Sequence, residues 1–229
     1  MIKTDNYGIV FNKLKSNILD DWQQYTKHTF VKSIGNASLD RKLYIKYLKQ
    51  DYIFLIHFSR AWALLVAKSN SVNEMRIASA TLNALVNEEI QLHIKTCKAE
   101  GISEEQLFNT LEDVNNLAYT RFVLEVGYSG DFLDLLVALS PCVFGYGEIG
   151  LYLKSISKND NPYISWIDTY HSKEYQDVCI NIGSLLDKAT EERLGKGFVN
   201  NTMWPKLEKT FLTATKLEIG FWEMSLRQE

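Results

Sequence analysis

Three ionisable side chains stand where the apolar pattern of this 229-residue chain calls for a hydrophobe: Asp51, Cys142 and Glu218. A thiol and two carboxyls are the parts needed for nucleophilic addition assisted by proton transfer. Asp51 follows Tyr47 by four residues and precedes Phe54 and Leu55 by three and four, which puts its carboxylate on the inward face of a helix. A buried carboxylate without a partner is costly, so Asp51 is either hydrogen-bonded to a neighbouring helix or shifted in pKa. Glu218 shares a helical face with Phe211, Ala214, Phe221, Trp222 and Ser225, and the same alternatives apply. Among aromatics its pKa is expected to rise. The nearby Glu223 falls off this face and is expected in solvent.

Cys142 lies on the stripe Leu135, Ala138, Leu139, Cys142, Tyr146, Ile149. A cysteine there suits an inert core position equally well. Pro141 precedes it, and a proline lacks the N–H that an interior helical turn needs. The expectation is an interrupted helix, with Ser140 as N-cap and Cys142 second in the new one, where unsatisfied amides would lower the thiol pKa. Tyr119, Tyr146 and Tyr170 fall on or beside core stripes and, with Phe54, are either packing residues or flat walls for a planar ligand. Gly145-Tyr-Gly-Glu-Ile-Gly150 spells G-x-G-x-x-G, but no strand precedes it, so the dinucleotide fingerprint is rejected in favour of close helix packing. Glu89 and His93 are read as an i, i+4 helix pair. No Glu-x-x-His occurs, Asp168 and His171 sit at a helix end, and His28 and His57 lack ligand-spaced partners, so no metal site is expected.

The elements that must hold these residues are helical. Apolar residues recur at helical spacing almost throughout, and long alternating stretches are absent. A first helix is marked by Phe11, Leu14, Ile18, Trp22 and Tyr25, and a second starts near Ser38 or Asp40 and runs to Leu65. Ser71–Glu74 and Ser103–Gln106 read as capping boxes, the first opening a helix to about Lys98. Further helices are expected over Asn115–Val126, ended by a Gly127–Gly130 turn, over 131–155 with the break at Pro141, from Pro162 to Tyr170, over Glu174–Arg193 and over Lys206–Arg227. The expectation is one all-α domain over 1–229 with about eight to nine helices.

Composition agrees. Twenty-five Lys+Arg against 28 Asp+Glu leave a net charge of −3 with no basic cluster, so a nucleic-acid partner is not expected. The longest apolar run, Ala61–Ala67, is too short to cross a bilayer, and Met1–Tyr7 lacks the apolar core of a secretion signal. Cys97, Cys142 and Cys179 are odd in number and contain no CxxC pair, which fits a reduced cytoplasmic protein without disulfides.

Gln50-Asp51-Tyr52 with Phe54-Leu55, Pro141-Cys142-x-Phe-Gly-Tyr146-Gly-Glu148-Ile-Gly150, Pro162-Tyr163-x-x-Trp166-Ile167 with Tyr170, and Glu218-x-x-Phe221-Trp222-x-Met224 together resemble the TenA family of thiaminase II enzymes, in its Cys-containing branch. The resemblance runs in order over nearly the whole chain. It implies a haem-oxygenase-like helical bundle, usually a homotetramer, with no cofactor, haem or metal. It implies hydrolysis of an aminopyrimidine bearing an aminomethyl arm to hydroxymethylpyrimidine and ammonia, and of thiamin to hydroxymethylpyrimidine and the thiazole alcohol, in thiamin salvage. By position, Cys142 would be the nucleophile and Glu218 the proton donor. Asp51 would grip the amino-pyrimidine edge and help activate the cysteine, Tyr146 would contact substrate, and Phe54, Tyr119 and Tyr170 would line the pocket. Two other functions remain open: a pyrimidine-binding or regulatory protein without turnover, and a di-metal oxidase on the same fold.

Overall fold

The computed structural model describes residues 7–228, and among these the regular structure is helical with no strand. In order, the helices are α1 (Ile9–Ser16), α2 (Leu19–Thr26), α3 (Thr29–Gly35), α4 (Arg41–Ala67), α5 (Val72–Ala84), α6 (Ile90–Ala99), α7 (Glu104–Phe108), α8 (Val114–Ser129), α9 (Phe132–Ile156), α10 (Ile164–His171), α11 (Lys173–Leu194) and α12 (Trp204–Leu226). A π-helical turn, Leu85–Glu89, joins α5 to α6 without a break. Met1–Asn6, part of the segment examined for a secretion signal, lie outside the described residues. The apolar stripe expected to form one N-terminal helix is divided between α1 and α2, with α3 added after them.

Two long helices organise the rest. The 27-residue α4 starts where Asp40 accepts a hydrogen bond from Lys42 N at 2.7 Å, an N-cap within the expected start. The 25-residue α9 opens on a capping box in which Asp131 and Asp134 each accept the other's backbone N–H at 3.0 Å. Around α9 pack α8, α10, α11 and α12, and α4 packs on α5, α6, α8 and α12. Helix α9 is long and apolar enough to cross a membrane, yet 94 % of that apolar window is buried inside the fold, as a core helix would be. Gln50 on α4 donates to Leu111 O at 2.9 Å and accepts from Asp113 N at 3.0 Å, which fixes the start of α8 against α4. The capping box at Ser103 and Gln106 is present as expected. At Ser71 only half of one forms: its hydroxyl accepts from Glu74 N, but the Glu74 carboxylate turns to Asn70 N instead.

Helix α9 is not interrupted at Pro141. A proline leaves the carbonyl four residues earlier without its backbone donor. Here that carbonyl is Val137 O, and the Ser140 hydroxyl donates to it at 2.9 Å. Ser140 therefore repairs the helix instead of capping a new one, and Cys142 sits in the helix interior. Helix α8 likewise runs through Gly127 to Ser129, because Gly127 lies against Leu64 and Leu135 and is used for packing instead of a turn. The glycines of α9 serve close approach: a Cβ on Gly145 would strike the Tyr25 ring, and one on Gly150 would strike the Tyr170 backbone.

Candidate active site

Five segments converge near the middle of α9. Helix α4 contributes Tyr47 and Asp51, the π turn and α6 contribute Glu89 and His93, and α8 contributes Tyr119. Helix α9 contributes Cys142 and Tyr146, α10 contributes Trp166 and Tyr170, and α12 contributes Glu218. Asp51 and Glu218 are each 2 % exposed, and Cys142 is 9 % exposed because it opens onto a cavity of about 310 Å³. Besides Cys142, the walls of that cavity include Leu55, Phe58, Glu89, Tyr146, Tyr170 and Tyr175. The size and the aromatic lining suit a flat heterocycle.

The Asp51 carboxylate is held through one oxygen. Tyr47 donates its hydroxyl to Asp51 Oδ2 at 2.9 Å, and His93 Nε2 meets the same oxygen at 2.7 Å. Behind Tyr47, Trp166 Nε1 donates to its hydroxyl at 3.4 Å, and the Tyr146 hydroxyl stands 3.3 Å away. Glu89 accepts from the Tyr170 hydroxyl at 2.6 Å, and His93 Nδ1 bonds the Glu89 carbonyl oxygen at 2.9 Å. Glu89 and His93 are thus linked through ring and backbone, not as the side-chain pair expected from their spacing.

Glu218 accepts from the Tyr119 hydroxyl at 2.8 Å and also interacts with the Cys142 side chain. Burial pushes its pKa up to about 8, helped by the charge of Asp51 and opposed by the bonds from Tyr119 and Cys142. Burial likewise holds the Cys142 thiol well above its ordinary value, with the charges of Glu218, Glu89 and Asp51 adding to the effect. The lowered thiol pKa expected from a helix N-terminus is therefore corrected: Cys142 lies mid-helix, largely buried, and is acted on by acids. Burial and Asp51 also raise Glu89, against the Tyr170 bond. For His93, burial opposes the charged form, but the bond to Asp51 and the charges of Asp51 and Glu89 outweigh it and the pKa rises.

The sequence-derived candidates come together, with one division among them. Cys142, Tyr146 and Tyr170 line the cavity. Phe54 and Tyr119 pack against one another with ring centroids 5.0 Å apart, and Phe54 also meets Phe221 at 5.5 Å. They stand behind the carboxyls, so Tyr119 orients Glu218. Sequence reasoning missed Tyr47, Glu89, His93 and Trp166 as site residues. Tyr47, one turn before Asp51, was the available signal. The π turn that brings Glu89 and His93 inward has no sequence signature. Glu223 is exposed, as expected.

Comparison with known proteins follows the same lines. Residues 16–228 match the model of the TENA/THI-4/PQQC family. An aminopyrimidine aminohydrolase of Halalkalibacterium halodurans is 37 % identical over 209 residues, covering 90 % of this chain and 91 % of its own. An uncharacterised protein of Haemophilus influenzae is 38 % identical over 207 residues, covering 90 % and 93 %. A crystal structure from Silicibacter sp. TM1040, described as a TenA family transcription regulator, superposes with a TM-score of 0.96 at 52 % identity, covering 99 % of this chain and 100 % of that one. The TenA homologue of P. horikoshii gives a TM-score of 0.84 at 26 % identity, covering 95 % and 98 %. The helical fold is thus shared with solved relatives, and the chain belongs to the TENA/THI-4/PQQC family.

Proposed function

We propose that this protein hydrolyses an aminopyrimidine carrying an aminomethyl arm to hydroxymethylpyrimidine and ammonia, and thiamin to hydroxymethylpyrimidine and the thiazole alcohol, in thiamin salvage. The coarser statement, a hydrolase acting on C–N bonds, rests on relatives named aminopyrimidine aminohydrolase at 24–37 % identity. The observation that carries the finer reading is that Cys142, on the wall of the aromatic cavity, is acted on by Glu218 and Asp51 from two other helices.

In this reading Tyr146 and Tyr170 flank the ring and Asp51 accepts from its amino group. The sulfur of Cys142 adds to a ring carbon while the thiol proton passes to the neighbouring carboxyl. Electron density moved toward the arm breaks the bond to the amine, which leaves with a proton from Glu218. Water then adds to the exocyclic carbon, and the sulfur is expelled to restore the thiol. A carboxyl with a pKa near 8 can both give and take a proton near neutral pH. Because the thiol is protonated at rest, ionisation is coupled to attack on bound substrate.

The transcription-regulator description of the Silicibacter relative favours a second reading, a pyrimidine-binding protein without turnover. Against it, the chain carries a net charge of −3 and no basic cluster for nucleic acid. Incubation with the aminomethyl-pyrimidine and with thiamin, following ammonia and pyrimidine alcohol, separates the two. Cys142→Ser is expected to abolish turnover and retain pyrimidine binding, and full activity in that variant overturns the proposal. The reading includes a cytoplasmic homotetramer, for which sedimentation is the check. Exposed Phe108, Leu111 and Val114 at the α7–α8 corner supply apolar surface for assembly.

A further inference from the structure

The hydrogen-bond geometry around His93 offers an acceptor oxygen to each ring nitrogen, one more than a neutral imidazole has protons to fill. Its Nδ1 lies 2.9 Å from the Glu89 carbonyl oxygen, which can only accept. Nδ1 therefore bears hydrogen. Its Nε2 lies 2.7 Å from Asp51 Oδ2, an oxygen that already accepts from Tyr47 at 2.9 Å. An ionised carboxylate oxygen accepts both bonds at once, and Nε2 then donates as well. We infer that His93 is a buried imidazolium and the positioning residue of this site: it locks Asp51 by Oδ2, turns Oδ1 toward the ligand, and supplies the positive charge that offsets the acids around Cys142.

The surroundings of His93 support that charge. From α4 it faces Asp51, with Tyr47 behind it, and shares a small outer cleft with Arg41 and Tyr44. The π turn presents Glu89, which Tyr170 of α10 holds in place, and α10 adds the neutral Trp166. The acids of the adjoining α7, Glu104 and Glu105, are exposed to solvent. Helix α9 contributes Cys142, and the acids acting on its thiol are Glu218, Glu89 and Asp51. Loss of the imidazolium leaves Asp51 uncompensated, and thiolate formation becomes harder.

Two measurements on the full chain test this. Nitrogen-15 NMR of histidine-labelled protein, with His93 assigned by comparison with His93→Gln, is expected to show both ring nitrogens protonated at pH 7.5. A neutral tautomer there, with the proton on Asp51, overturns the inference. In parallel, iodoacetamide alkylation of Cys142 is followed against pH, a clean readout because Cys97 and Cys179 are both fully buried at 0 % exposure. In His93→Gln the profile is expected to move upward by at least about one pH unit, a roughly tenfold slower reaction at fixed pH. Superimposable profiles overturn the inference, since a merely hydrogen-bonding role moves nothing. Should His93→Gln fail to fold, Asp51→Asn provides the second arm, and the His93 signals are then expected to become neutral. The orientation of Asp51 toward a pyrimidine rests on the proposed function. A wild type that hydrolyses neither substrate defeats that function, while the NMR result still decides the charge of His93.

Discussion

At Glu218 two opposed influences can be separated by substitution. Burial raises its pKa to about 8, and the bond from Tyr119 pulls in the other direction. Removing that bond with Tyr119→Phe therefore raises the Glu218 pKa further. The basic limb of the kcat profile is expected to move to higher pH with the ring contact to Phe54 retained, and pH-resolved turnover of the aminopyrimidine checks it. An unmoved basic limb would mean that another group titrates in that step. These acids were legible in the sequence because each interrupted an apolar stripe with a group too expensive to bury without purpose. Their environments were not, since a pKa depends on neighbours from other helices. Cys142 shows the difference: its position was read correctly from its stripe, while the sign of its shift was reversed by burial in the helix interior, with Glu218 of α12, Glu89 of the π turn and Asp51 of α4 adding to it.

Helix α9 carries the clearest lesson about elements. The proline rule anticipates a break at Pro141, and it is the neighbouring hydroxyl, bonded to Val137 O at 2.9 Å, that preserves the helix. Ser140→Ala removes the side-chain donor to that buried carbonyl. The expected cost is about 1–3 kcal/mol, the penalty of an unsatisfied buried group, measured by urea unfolding. A second expected effect is lower kcat, because Cys142 lies two residues beyond. The long helices α4, α9, α11 and α12 were readable within a few residues of their ends, since their apolar period is strong, and at α4 the capping Asp40 marks the start. The π turn at Leu85–Glu89 was not, because it differs from an α-helix only by one residue of register. The Glu89 carboxylate, in that turn, is bonded by Tyr170 instead of by His93.

Across the whole molecule, the shifted groups of the site act on stability with one sign. The folded values of Glu218, Glu89 and His93 all lie above their ordinary ones, so the native state binds protons more tightly than the unfolded chain. For Glu218 the benefit is whole below about pH 4.5 and is lost as pH rises to about 8. For His93 it is whole below about pH 6.5 and lost as pH rises through its higher folded value. Melting temperature is accordingly expected to fall from mildly acidic pH toward pH 9, and Glu218→Gln to flatten that fall and melt higher at pH 8.5. Each 1 kcal/mol corresponds to about 2–4 °C in a domain of this size. Among the described residues, the cavity lining bears Glu88, Glu89 and Glu174 and no Lys or Arg. Thiamin is therefore expected to be hydrolysed in preference to thiamin phosphate, which competition between the two substrates measures.

The burial of α9 also bears on how this chain is made. Helices α8 and α4 precede it, but α10, α11 and α12 are all synthesised after it, so a nascent polypeptide that has emerged only to about residue 160 leaves part of an oily rod of bilayer-spanning length uncovered. Ribosome-stalled or prematurely terminated products are expected to associate with trigger factor or with lipid vesicles, whereas released full-length protein does not. Hiding the rest of that rod is thus left to the last third of translation, in which Glu218 also arrives.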